Sequence, residues 1–408
     1  MLTSLAFIFL AGLAAAAIFE RLNIPRIIGM LLTGILLGPC AFNLLDRSIL
    51  SVSADLRQMA LIIILLKAGL SLDLNDLKKV GRSAVMMSFV PASFEILGFF
   101  LFAPPLLGVT RIEAAVMGAV LSAVSPAVVV PRMVWLMEEG YGTKKGIPQM
   151  ILAGASCDDV FVVVLFSAFV GMAQGGSAQM SDFVSIPVSV ILGVMLGVFA
   201  GIVLCLLFEA AYARNCGIRN SMKVIIILGV SFLLIAVETW LKGIAPISGL
   251  LAVISMACVI KIKSAAVVTG RLSEKFGKLW LAAEVVLFVL VGAAVDIRYT
   301  VGAGIMPVVM ILIALIFRSA GVSLCLLGAN LNRKERLFCI ISYLPKATVQ
   351  AAIGAVPLAM GLPCGNIVLS VAVLAILITA WLGALGMDLG YRKCLSRDSK
   401  NQEPASFR

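Results

Sequence analysis

The chain has 408 residues, of which 62% are hydrophobic and 13% are charged, and its mean hydropathy is +1.12. Soluble domains carry roughly 25% charged residues, so this composition excludes a soluble globular protein and indicates an integral membrane protein. The formal net charge of +11 does not indicate a nucleic-acid partner, because the distribution of the basic residues between the two sides of the membrane explains this charge, as shown below.

The first apolar segment, LAFIFLAGLAAAA, ends in small residues and so resembles a secretory signal peptide. No basic residue precedes it, whereas Arg21 and Arg26 follow it. This arrangement favours an uncleaved first membrane span that starts outside the cell.

Hydropathy predicts an all-α polytopic protein with about 13 transmembrane helices, since about 20 mostly apolar residues cross the hydrocarbon core. The predicted spans lie near 2–18, 27–42, 58–72, 83–103, 113–134, 147–172, 184–208, 221–240, 245–262, 277–296, 302–329, 335–358 and 364–387. Residues 1–390 then form one transmembrane domain. The polar remainder, 391–408, has no periodic apolar face, which predicts a short disordered cytoplasmic tail.

The orientation follows from the basic residues. If the N-terminus is outside, most of the 32 Lys and Arg residues fall on inner loops and on the tail. This bias predicts a multi-pass protein of the cell (inner) membrane with an outer N-terminus and a cytoplasmic C-terminus. The basic inner surface would lie beside anionic lipid.

Five charged residues fall near the middle of predicted spans. Asp158 and Asp159 are adjacent in the stretch GASCDD of span 6, and the others are Glu95 in span 4, Arg318 in span 11 and Lys346 in span 12. An Asp, Lys or Arg at this depth costs about 2.5–3.5 kcal/mol on insertion scales, so each one needs a functional or structural reason. Adjacent aspartates in the middle of a span predict a functional site.

Two further charged residues have open roles. Lys67 lies close to the inner end of span 3, where its long side chain could reach the membrane surface. Glu284 lies about one third into span 10, where it could be a structural partner or an acid near the site.

Two spans contain helix breakers. Pro126 and Pro131 lie in span 5, and Pro345 and Pro357 lie in span 12. Proline disrupts a helix, and half-helix ends in a membrane expose carbonyl groups that can hold a cation. Paired breaks at corresponding places therefore predict a transport site near the middle of the membrane.

The positions of the breaks suggest an inverted repeat. Spans 1–6 would correspond to spans 8–13, with span 7 as a connector, so that span 5 matches span 12 and span 4 matches span 11. Glu95 and Arg318 then occupy corresponding spans and could meet as an ion pair.

The chain contains nine cysteines without a CxxC motif and no histidine. This pattern indicates neither a disulfide framework nor a zinc site. Without histidine, proton transfer must use carboxylates or lysines.

The motifs taken together resemble those of the monovalent cation:proton antiporter superfamily, and in particular its sodium/proton antiporter branch of the NHA type. They are NIPRIIGMLLTGILLGP in span 2, LLKAGLSLDL after span 3, AVSPAVVVP in span 5, GASCDD in span 6 and YLPKATVQAAIGAV in span 12. The resemblance implies an NhaA-like fold with two crossing broken helices, elevator-like alternating access and a homodimer. It also implies that spans 1–3 and 7–10 form a dimerisation scaffold, and spans 4–6 and 11–13 the ion-transporting core.

The resemblance also assigns roles to the charged residues. Asp158 and Asp159 would be the paired aspartates, with Asp159 binding the cation directly. Arg318 stands where many electrogenic relatives carry a lysine, Glu95 is similar to the acid that pairs with this arginine, and Lys346 belongs to the LPKATVQ motif. Arginine does not deprotonate in proteins. These five groups carry a net charge of −1, which one cation or one proton neutralises, so we expect electroneutral exchange.

The expected activity is the exchange of Na⁺ or Li⁺ for H⁺, with both ions competing for the aspartates. Ser125, Ser156 and Thr348 could supply further oxygen ligands to the cation. The alternatives are a K⁺/H⁺ antiporter and a sodium-coupled symporter of organic anions on a related fold. An aspartyl enzyme is disfavoured, because neighbouring residues point about 100° apart on a helix and cannot face each other as a dyad. No cofactor is expected besides the transported ions.

Overall fold

The computed structural model describes residues 1–22, 24–71, 81–174, 180–213, 218–241, 247–296 and 304–397. Within these ranges the regular structure is helical, and one isolated bridge pairs Tyr141 with Arg397. The helices of the first part are α1 (Leu2–Arg21), α2 (Arg26–Leu37), α3 (Arg47–Ser51), α4 (Ser53–Ser71), α5 (Arg82–Met87), α6 (Val90–Leu107), α7 (Arg111–Leu121), α8 (Pro126–Glu138) and α9 (Ile147–Gln174). Those of the second part are α10 (Met180–Ala213), α11 (Asn220–Trp240), α12 (Gly249–Lys263), α13 (Ala266–Ala293), α14 (Met306–Cys325), α15 (Arg333–Ser342), α16 (Thr348–Gly354), α17 (Val356–Ala359) and α18 (Gly365–Cys394).

Each predicted span overlaps one helix, except that spans 4 and 5 each overlap two consecutive helices and span 12 overlaps three. Among the described residues, eight helical segments are long and apolar enough to cross a membrane by themselves. Shorter apolar helices at 26–37, 128–137 and 348–359 occupy other predicted spans. The all-helical class is confirmed, and the number of about 13 crossings stays a prediction.

Small residues bring several helices into close contact. A Cβ atom at Gly34 of α2 would collide with the carbonyl group of Val289 in α13, and one at Gly292 of α13 would collide with the carbonyl oxygen of Leu31. A Cβ atom at Gly197 of α10 would likewise collide with the carbonyl group of Ala252 in α12. Such contacts stabilise helix pairs in a membrane, where packing replaces much of the hydrophobic driving force.

The helices form two sets of neighbours. In one set, α13 packs along α2 and α4, and α10 packs along α12. In the other set, α6 packs between α7 and α14, α9 packs against α5, α7 and α8, and α18 packs against α15 and α16. The charged residues of the predicted site all belong to the second set.

The two broken helices cross at the centre of the second set. The first break, residues 122–125, separates α7 from α8, and the second, residues 343–347, separates α15 from α16. The amide of Ser125 donates to the carbonyl of Pro345 at 2.8 Å, which joins the two breaks. Pro126 lies just after the first break because proline fits the first turn of a helix, where its missing N–H is not needed.

The chain after span 13 differs from its prediction. Helix α18 continues to Cys394, and residues 391–397 pack against the turn between α8 and α9 instead of forming a disordered tail. Leu395 is buried, Gly142 donates its amide to the carbonyl of Ser396 at 2.9 Å, and Arg397 forms a 3.0 Å ion pair with Glu139. The prediction was wrong here because these contacts join residues far apart in the sequence. Residues 398–408 lie outside the described residues.

Candidate functional site

Asp158 is buried near the middle of α9 and faces the first break. Its Oδ2 atom accepts a 2.8 Å hydrogen bond from the amide of Val124 and lies 3.2 Å from Nη2 of Arg318. The interruption between α7 and α8 frees the Val124 amide for this contact, because a continuous helix would use it internally. Asp158 therefore holds the broken helix and the arginine in place.

Glu95 bridges the two basic residues at the centre of the molecule. Its Oε2 atom accepts from Nη1 of Arg318 at 2.9 Å and from Nζ of Lys346 at 2.8 Å. The exposed fraction of these three side chains is 1% or less. The contact between Glu95 and Arg318 that the sequence suggested is thus present, and Lys346 joins it. Buried charges are tolerated in this way only when each one has a partner.

Several carbonyl groups in and beside the two breaks accept hydrogen bonds from protein donors. Arg318 donates to the carbonyls of Ser122 and Tyr343, and Lys346 donates to that of Leu121. Gln350 donates its side-chain amide to the carbonyls of Leu121, at 3.3 Å, and Ala123, at 2.8 Å. The C-terminal end of α7 carries a partial negative charge, which these donors compensate. A carbonyl oxygen has two lone pairs, so one accepted bond does not exclude a cation, and the expectation that carbonyls of the breaks hold the transported cation stays a prediction.

Gln350 is the site residue that the sequence did not single out. It is fully buried on α16 and belongs to the motif YLPKATVQAAIGAV. The signal that could have found it is a polar amide in an otherwise apolar stretch beside a helix break.

Asp159 faces a different environment from its neighbour. It lines a cavity of about 820 Å³ together with Thr348, and the exposed residues Glu20 and Asp388 belong to the same lining. Its Oδ1 atom is buried and has no hydrogen-bond partner within the described ranges, and the same holds for Oδ1 of Asp158 and for the hydroxyl oxygens of Ser125 and Thr348. Unpaired buried oxygens are rare and costly. A cation or a proton at Asp159 would relieve this cost.

The other predicted oxygen ligands have different positions. Ser125 and Thr348 are buried next to the two breaks. Ser156 lies on α9, and its side chain is outside the part of the molecule that the structure describes.

The cavity of Asp159 lies between the two sets of helices. One wall comes from α1, α2, α4 and α13, and the other from α8, α9, α16 and α18. Glu284 on the first wall is buried and forms a 2.6 Å ion pair with Arg26, and Lys67 lines the same wall. Arg132 and Asp388 form a two-point ion pair on the second wall, with both distances at 2.9 Å. Glu284 is thus a structural partner of Arg26 that also faces the cavity.

The chain matches known proteins over most of its length. Residues 5–387 match the family model described as "Sodium/hydrogen exchanger, transmembrane". The chain is 34% identical over 385 residues to sodium/hydrogen exchanger 9B2 of Homo sapiens, which covers 90% of this chain and 69% of that protein. It is 33% identical over 397 residues to the protein of the same name in Mus musculus, which covers 93% of this chain and 70% of that protein.

The fold is similar to a solved antiporter structure. The sodium proton antiporter MjNhaP1 from Methanocaldococcus jannaschii, at pH 8, superposes with a TM-score of 0.80, and the match covers 96% of this chain and 99% of that chain. The sequence identity is 20%. At this identity the likeness concerns the fold, which is that of an all-helical antiporter.

Proposed function

The chain belongs to the sodium/hydrogen exchanger family, and from this membership and the site geometry we propose that it exchanges Na⁺ or Li⁺ for H⁺ by alternating access. The observation that carries the proposal is the contrast between the two aspartates. Oδ2 of Asp158 is held by Arg318 and by a backbone amide, whereas Asp159 lines an open cavity. Each aspartate has one buried oxygen, Oδ1, without a hydrogen-bond partner in the described ranges, so the contrast lies in the bound Oδ2 of Asp158 and in the cavity beside Asp159. Asp159 is therefore the carboxylate at which cation and proton compete.

The chemistry of the exchange follows from the properties of a carboxylate. A dehydrated Na⁺ or Li⁺ needs hard oxygen ligands, and a carboxylate that supplies them can accept a proton instead. Thr348, on the same cavity wall, is placed to contribute its hydroxyl oxygen to the cation. The transported cation is cargo, and the proposal requires no cofactor.

Arg318 acts as a fixed charge in this mechanism. A guanidinium keeps its proton in proteins, and here it is bound by two carboxylates and two carbonyl groups. Arg318, Lys346, Glu95, Asp158 and Asp159 together carry a net charge of −1 when all are ionised. Binding one cation or one proton makes this cluster neutral, and a neutral cluster crosses the hydrocarbon region at a lower cost than a charged one.

The two sets of helices fit the roles of scaffold and core. We assign spans 1–3 and 7–10 to a scaffold that dimerises and spans 4–6 and 11–13 to a core that moves. The cavity of Asp159 lies between these sets, as an elevator mechanism requires. Its lining includes the exposed residues Glu20 and Asp388, near helix ends that the distribution of basic residues places inside the cell. The cavity thus corresponds to an inward-open state.

The proposal is tested with purified protein in proteoliposomes that carry a pH gradient. We expect added Na⁺ or Li⁺ to dissipate the gradient at clamped membrane potential, because the cation displaces the proton from the shared site. Choline⁺, which is too large for a site of hard oxygen ligands, is the control. A response to K⁺ alone would change the assigned cation. Uptake of an organic anion with Na⁺, without proton movement, would replace the antiporter by the symporter.

The charge count predicts electroneutral exchange. In proteoliposomes without a Na⁺ or pH gradient, an imposed potential of either sign is expected to drive no net Na⁺ movement, because one charge moves in each direction. The measurement is uptake of radioactive Na⁺ at several potassium diffusion potentials set with valinomycin. A steady dependence of uptake on potential would mean that more than one proton moves per cation.

A further inference from the structure

A second cavity lies on the set of helices that contains the aspartates, away from Asp159. Its volume is about 470 Å³, within the range of about 300–1,000 Å³ that is typical of small-molecule sites. Its wall consists of the start of α5, the 3₁₀ turn at residues 143–145 and the connection 327–331 between α14 and α15. Arg82, Lys144 and Lys145 all line it.

The positive charge of this cavity is only partly compensated. Lys145 forms a 2.8 Å ion pair with Glu335, which also caps the start of α15 and is buried. Arg82 and Lys144 are exposed, and neither forms an ion pair with an acidic residue in the described ranges. Among the described residues, those that line the cavity include no Asp or Glu. Two cationic side chains thus face this space without a counter-charge from the part of the chain that the structure describes.

The donors around the cavity match the oxygens of a phosphate group. A guanidinium binds phosphate through two parallel N–H donors, and an ammonium binds it as a point charge. The lining also includes Ser83 and Asn330, whose hydroxyl and amide groups can donate, and the apolar side chains of Met150 and Leu331. The distribution of basic residues places all these elements at the inner membrane surface, where phosphate groups of lipids are abundant.

We propose that this cavity, defined by Arg82, Ser83, Lys144 and Asn330, binds a phosphate-bearing anion: the head group of an anionic phospholipid or a soluble phosphate compound. The apolar side chains suit the glycerol part of a lipid. The proposal does not depend on which cation the protein transports, because it concerns a separate cavity.

An anion in this cavity would contact two connecting segments that adjoin the helices of the aspartate site. The turn at 143–145 leads directly into α9, which carries Asp158 and Asp159. The connection 327–331 follows α14, which carries Arg318. A bound anion would hold the inner ends of these helices together, and it is therefore expected to stabilise the folded protein.

The test is thermal unfolding of the full chain in nanodiscs of phosphatidylcholine, alone or with phosphatidylglycerol, and in detergent with inorganic pyrophosphate. We expect phosphatidylglycerol, pyrophosphate or both to raise the unfolding temperature of the wild type. Arg82→Gln combined with Lys144→Gln should lose this increase and weaken binding by about tenfold or more. The matched control is Arg271→Gln combined with Lys263→Gln, which removes the same charge from α12 and α13, outside the cavity.

The outcomes separate the two sources of phosphate. An increase with phosphatidylglycerol alone assigns a lipid head group, and an increase with pyrophosphate assigns a soluble anion. Equal responses of the cavity variant and the control variant, or no response of the wild type, would overturn the proposal. If the double variant is already unfolded in phosphatidylcholine, the single variant Lys144→Gln, which changes an exposed residue, replaces it in the same measurement. Intact Na⁺/H⁺ exchange alongside absent anion binding would reject this site and leave the proposed transport function standing.

Discussion

Asp159→Asn is expected to abolish proton movement triggered by Na⁺ or Li⁺ in proteoliposomes. The amide has nearly the shape of the carboxylate, but it carries no charge for the cation and no titrating proton. The surrounding network of Asp158, Arg318 and Glu95 remains in place, since no hydrogen bond in the described structure joins it to Asp159. The variant should therefore fold, and removing a buried charge should leave its unfolding temperature equal to or above that of the wild type.

The matched control for this variant is Glu20→Gln. Glu20 lines the same cavity but is exposed, whereas Asp159 is buried. A general loss of negative charge in the cavity would impair both variants alike, whereas a specific site predicts near wild-type exchange for Glu20→Gln. Cation-dependent proton movement that survives in a folded Asp159→Asn protein would exclude this carboxylate as the exchange site.

The positions of the helices could be predicted from the sequence because hydropathy reports burial in lipid directly. Pro126 likewise indicated the break between α7 and α8, although the interruption lies before the proline, at residues 122–125. The packing of residues 391–397 could not be predicted in this way. It depends on contacts such as those of Tyr391 with Trp135 and Tyr141, whose ring centroids lie 5.2 and 5.0 Å apart.

The candidate site, too, could be predicted from the sequence only in part. The cost of burying a charge singled out the central acids and bases from the sequence, and an inverted repeat suggested that Glu95 and Arg318 meet. Which groups occupy the carbonyls of the break could not be read from the sequence, because the bond from Gln350 to Ala123 depends on how two distant breaks cross. The pairing of Arg26 with Glu284, 258 residues apart, could not be predicted either, because it also depends on how distant helices pack.

Glu95→Gln and Arg318→Met are each expected to lower the free energy of unfolding by about 3–5 kcal/mol, because each leaves buried charges without partners. Arg318→Met should have the larger effect, since it removes a donor from two carboxylates and two carbonyl groups. The measurement is reversible unfolding of the purified protein in detergent micelles, as the concentration of denaturant is increased. Arg397→Gln, which breaks the exposed pair with Glu139, is the control and should change stability by about 1 kcal/mol or less.

The double variant Glu95→Gln/Arg318→Met tests whether the two residues stabilise the fold through each other. Residues in one buried network usually show coupling energies of about 0.5–3 kcal/mol, so the double variant should lose less stability than the sum of the single variants. Strict additivity would contradict the ion pair. A charge swap is a weaker test, because a carboxylate at position 318 would face the carbonyl oxygens of Ser122 and Tyr343 and would be repelled by them. The neutral pair removes the interaction without adding this repulsion, so the measured coupling reports on the Glu95–Arg318 contact itself.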